Sequence, residues 1–140
     1  MDISNNDKNG RKIPHNSARR GLRAREATVT SRPESEKTLE SSLVREVSRM
    51  GGKCLKYASS TTTGYPDRLV LLPEGCVFWV ELKTTGKKPG KKQELRHQEL
   101  RDLGQVVYVV DSARSLELAL ALMNRAVIAE RIRREELGGL

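Results

Sequence analysis

At 140 residues with a formal net charge of +8, the chain has room for one hydrophobic core with extensions, since two cores of half that size would each be marginal. The basic excess favours polyanionic partners, because a cationic surface gains affinity by releasing counterions condensed on nucleic acid; plain solubility is the blander use of the same charge. No apolar stretch approaches the roughly 20 residues of a membrane span and no secretory leader is legible, so a soluble cytoplasmic protein with no membrane partner is expected.

Residues 1–34 carry eight Lys/Arg against four Asp/Glu and show no hydrophobic period. They cannot bury enough surface to order themselves and read as a flexible basic arm, either touching DNA phosphates or simply solvated. From Ser35 the pattern changes: Leu39, Leu43, Val47 and Met50 recur at helical spacing, with Ser35 as N-cap and Gly51-Gly52 as the stop. A short strand, Lys53 to Tyr57, precedes a polar loop, Ala58 to Pro66. The runs Arg68–Leu72 and Val77–Leu82 then flank Pro73-Glu74-Gly75, which predicts a three-residue hairpin, a type I turn closed by glycine in the left-handed conformation. Both runs are apolar on both faces, which predicts a sheet covered on each side.

A lysine-rich loop, Thr84 to Lys92, leads into a helix over Gln93–Leu103 that Gly104 ends. Gln105 to Val110 reads as an interior strand. A last helix starts near Ala113, carries Leu116, Leu120, Met123 and Val127 at helical spacing, and passes into the charged run ERIRREE. This order predicts an α/β fold, a mixed β-sheet flanked by helices on both faces. Three segments are expected: a basic arm over 1–34, a domain over 35–124 and a charged C-terminal helix extension over 125–140. Cys54 and Cys76 lack the close Cys/His spacing of a zinc site and are expected to be buried free thiols.

The hairpin register decides whether the acidic residues can cooperate. With a three-residue loop, Leu72 lies opposite Cys76, and counting outward puts Asp67 opposite Glu81. Directly opposed residues have Cβ atoms about 4.5 to 5.5 Å apart, close enough for two carboxylates to share one divalent ion. Lys83, two residues past Glu81, alternates onto the same side. A phosphodiester needs this set: a hard cation offsets its anionic oxygens and activates a water, while an ammonium orients that water and stabilises the phosphorane. Glu40 falls inside the apolar arc of the first helix, where a carboxylate is costly without a partner, and a third place at the metal site would supply one. Glu36 lies in the first turn, where the helix dipole suffices.

Glu40, Gly64-Tyr65-Pro66-Asp67, Glu81-Leu82-Lys83 and Gln93 together resemble the VRR-NUC branch of the PD-(D/E)xK nucleases, in their stand-alone, phage-type form. The likeness covers about residues 36 to 122 and includes GGKCLKY, PDRLVLLPEG and VFWVELKTTGKKP. It implies a restriction-endonuclease-like fold and a Mg²⁺- or Mn²⁺-dependent endonuclease acting on DNA, often branched or Holliday-junction DNA, as a homodimer. Carried over, Asp67 and Glu81 become metal ligands, Glu40 a direct or water-mediated one, and the Leu82 backbone carbonyl a further metal oxygen. Lys83 becomes the catalytic lysine, and Gln93 holds Lys83 or the attacking water. The basic arm and the charged C-terminal end lie outside the resemblance.

Taken singly, each motif has a plainer explanation. Glu81 and Lys83 could be an exposed ion pair of little worth, Pro66-Asp67 could merely start a strand, and Gln98 competes with Gln93. The lysines of the 84–92 loop could be solvated, but beside a phosphodiester site Lys87, Lys88, Lys91 and Lys92, with Lys56 and Arg68, would track the DNA backbone. The hydroxyls of Ser59–Thr63 divide between phosphate contact and satisfying their own turn. Trp79 reads as core, and His15 and His97 show no ligand spacing. The competing functions are a non-catalytic DNA- or junction-binding module on the same scaffold, and an interaction protein whose last helix recruits a partner.

Overall fold

The computed structural model describes residues 33–138, so the arm expected over 1–34 lies outside it but for its last two residues. Helix α1 (Glu36–Arg49) starts where Ser35 accepts the Thr38 N–H at 3.2 Å, and it buries Leu39, Leu43 and Val47. Gly51 turns the chain with φ +80°. Strands β1 (Lys53–Lys56), β2 (Arg68–Leu72) and β3 (Cys76–Leu82) form an antiparallel meander, followed by α2 (Lys91–Asp102), β4 (Val107–Val110) and α3 (Ala113–Glu136). The sheet runs β1-β2-β3-β4, with β4 parallel to β3, so it is mixed as expected.

Alternation along the strands sorts the two faces. Val70, Leu72, Phe78, Val80, Leu82 and Val110 join α1 and α3 side chains, including Leu43 and Met123, in one apolar core. The opposite face is met by α2, whose Gln93 and His97 reach Glu81 on β3 and whose Arg101 donates to the Val107 carbonyl at 3.1 Å. Cover on this second face is less complete than the apolar strands imply: Leu55 of β1 and Val77 of β3 stay exposed. Both cysteines are half-buried free thiols packed against the core.

The β2–β3 register is the expected one, with Leu72 opposite Cys76 and Arg68 opposite Val80, but the turn differs from the expected type. Glu74 adopts φ 64° beside Gly75 at φ 73°, and the Cys76 N–H bonds the Pro73 carbonyl, so two left-handed residues make a primed turn whose twist suits the strands. A non-glycine residue is costly there. Arg134 offsets that cost by donating to the Glu74 carbonyl at 2.7 Å, and Arg131 by donating to its carboxylate at 3.1 Å. The charged end of the chain thus continues as helix to Glu136 and latches the hairpin turn. At the other end of α3, Ser112 caps the helix by accepting the Ser115 N–H at 3.1 Å, and Glu34, read in the sequence as part of the arm, accepts the Ala113 N–H and pairs with Thr85. No described helix is long and apolar enough to cross a membrane.

Candidate active site

Asp67 stands one residue before β2, and the register continued past Arg68–Val80 sets it opposite Glu81. Trp79 and Lys83 direct their N–H groups at the Val106 and Val110 carbonyls of the β4 segment. By alternation Leu82 points its N–H and C=O toward β2, where the facing position is Pro66. Proline has no N–H, so the Leu82 carbonyl is left without a ladder donor; the Leu82 N–H goes to Asp67 Oδ2 at 3.2 Å. Leu82 thus fixes a carboxylate through its N–H, and Pro66 leaves the Leu82 backbone oxygen free beside it.

The turn that delivers Asp67 is held from α2. Gly64 has φ +99°, and a Cβ there would lie 2.7 Å from the Lys92 carbonyl oxygen, while Arg96 donates to the Thr63 carbonyl at 3.3 Å. Only glycine allows so close an approach. Ser59 turns its hydroxyl back on its own loop, accepting the Thr62 N–H at 3.1 Å.

Glu81 is fully buried. Its Oε1 receives Lys83 Nζ at 2.9 Å and Gln93 Nε2 at 2.6 Å, and its Oε2 has no hydrogen-bond partner. Burial pushes the Glu81 carboxyl up, the Lys83 ammonium pulls it back, and the Asp67 charge raises it again. Gln93 also accepts the Gly90 N–H at 3.0 Å through its own carbonyl, which fixes the amide so that its NH₂ faces Glu81. Gln98, on the same helix, donates to Asp102 instead. The expected contact of Gln93 with Lys83 is replaced by a shared one: both donate to the same carboxylate oxygen.

Other sequence candidates fall elsewhere. Glu40 meets the Arg68 guanidinium and lies 4.0 Å from Lys56 Nζ; it finds its partner there, not at the Asp67–Glu81 pair. Among the described residues no three His, Cys, Asp or Glu side chains come close enough to hold a metal ion together. Arg68 corrects the expectation of phosphate contact: it is 8% exposed and committed to Glu40. Lys56, Lys87, Lys88, Lys91 and Lys92 are exposed. Trp79 is not in the apolar core; it packs edge-on against Tyr57 with Tyr65 beside them, ring centroids 4.9 to 6.3 Å apart.

His97 shows no ligand spacing in the sequence, yet it is buried with Nε2 3.7 Å from Glu81 Oε2. The signal was its place four residues after Gln93, on the same helix face.

No family model matches the chain. Over 77 residues it is 44% identical to "Putative nuclease p44" of Acyrthosiphon pisum secondary endosymbiont phage 1, across 55% of this chain and 83% of that protein. A solved structure described as a "VRR_NUC domain" superposes with a TM-score of 0.60 at 27% identity, over 63% of this chain and 97% of its own. The chain belongs to the VRR-NUC nuclease family. The restriction-endonuclease-like fold is thereby established, and Asp67, Glu81 and Lys83 stand together at one sheet end of this VRR-NUC domain.

Proposed function

We propose that this VRR-NUC nuclease is a Mg²⁺- or Mn²⁺-dependent endonuclease that hydrolyses DNA phosphodiester bonds in the cytoplasm, selecting branched or junction DNA and acting as a homodimer. The observation that carries the reading is the fully buried Glu81, with one oxygen unpartnered, set beside Asp67 and bonded by Lys83. A carboxylate held in the interior next to a second one is unfavourable on its own and suits a divalent cation. Asp67, Glu81 and the freed Leu82 carbonyl, all hard oxygen donors, would hold that ion. When bound, it supplies charge neutralisation at the phosphate and an acidified water.

Lys83 orients the attacking water and stabilises the charge that grows on the phosphorane. Gln93 keeps the Glu81 carboxylate in place as Lys83 does so. Glu40 acts indirectly, by neutralising Arg68 and so anchoring the residue next to Asp67. The exposed Lys56, Lys87, Lys88, Lys91 and Lys92 meet backbone phosphates, which makes affinity fall with added salt.

The test is a cleavage panel of linear, flap, splayed and four-way DNA with Mg²⁺ or Mn²⁺, run beside light scattering of the full chain. Cutting of the branched substrates is expected, with loss of at least about a hundredfold in Asp67→Ala and Glu81→Ala while DNA binding persists. Undiminished cutting by both variants refutes the site, and binding without cutting in the wild type leaves a junction-binding module.

A further inference from the structure

His97 stands in a place that the proposed chemistry does not use. Its imidazole is 2% exposed and sits one turn after Gln93, with Nε2 3.7 Å from Glu81 Oε2. Neither of these two atoms has a hydrogen-bond partner. A buried polar atom left unpaired is costly, and the other buried residue of α2 is Leu100, so filling space does not call for an imidazole. The opposite oxygen of the same carboxylate, by contrast, has two donors.

We propose that His97 is a positioning residue for Glu81: its Nε2–H donates to Oε2 while Lys83 and Gln93 hold Oε1. The carboxylate is then fixed from both sides. Closing the contact to hydrogen-bond range takes a shift of about half an ångström. Losing a donor that orients a metal-binding carboxylate typically weakens metal binding by about 10–100-fold. The inference rests on Glu81 being a metal ligand, as proposed above.

Mn²⁺ binding to the full chain, measured by calorimetry, separates this role from simple packing. His97→Leu keeps the volume and removes the donor; His97→Gln can place an amide N–H where Nε2 stood. About tenfold weaker Mn²⁺ binding is expected for His97→Leu, with kcat lowered and KM for DNA unchanged, and recovery to within about threefold of wild type for His97→Gln. Equal Mn²⁺ affinity in wild type and His97→Leu overturns the proposal, as does an equal loss in both variants. Nitrogen NMR of histidine-labelled wild type needs neither variant to fold nor metal to bind: a proton on Nε2 supports the contact, and a proton on Nδ1 overturns it. Should the wild type bind no Mn²⁺ and cut no DNA, the catalytic reading fails, while the tautomer still decides whether His97 serves Glu81.

Discussion

The two faces of one sheet do opposite work with alternate residues of the same strands. On the α1/α3 side, Val70, Phe78, Val80 and Leu82 bury apolar surface against Leu43 and Met123. On the α2 side, Asp67, Glu81 and Lys83 stand with Gln93 and His97, and the interior holds a carboxylate with an unpartnered oxygen. The first face supplies the stability that the second gives up, and a one-residue slip of β3 would exchange them.

The contrast can be broken most strongly from the core side. Leu43→Ala, at a fully buried position, is expected to cost about 2–5 kcal/mol, read from denaturant midpoints, while cleavage by the fraction still folded keeps its rate. A core variant that stays fully stable would mean that the apolar face is not what holds the sheet.

Gly64→Ala tests the seam between the faces. Its new Cβ would press on the Lys92 carbonyl in a backbone conformation suited to glycine, with an expected loss of about 1–3 kcal/mol and a fall in cleavage as Asp67 shifts. Wild-type cleavage in this variant would show that the turn does not position Asp67.

The smallest effect concerns pH. Burial raises the Glu81 carboxyl above its ordinary value, so between the unfolded and folded values the unfolded chain is the more ionised, and stability falls as pH rises through that window. Without metal, Glu81→Gln should therefore gain stability relative to wild type on going from about pH 4 to about pH 7, by about 1.4 kcal/mol for each unit of separation. A constant difference across the range would mean that Glu81 is not held at a cost.

Much of this was legible in the sequence because it rests on period and register. Helical spacing located α1 and α3, and a three-residue loop set Asp67 opposite Glu81 before any coordinates. The charged pairings were harder, since periodicity names a face and not a partner. Arg68 could have been placed: adjacent strand residues point to opposite faces, so with Asp67 at the site Arg68 had to turn toward α1, where Glu40 waits. His97 shows no metal-ligand spacing, and only the helix face it shares with Gln93 marks it. The left-handed Glu74 was out of reach, as its stabilising arginines lie some sixty positions away.

That distant latch has a mechanical consequence. The Pro73–Gly75 turn is fastened to α3 at one end of the hairpin, and the five residues of β2 separate it from Asp67 at the other. The hairpin is thus a lever with its far end pinned, and any breathing that changes the spacing of the two carboxylates is confined to the end where Pro66 has already interrupted the ladder.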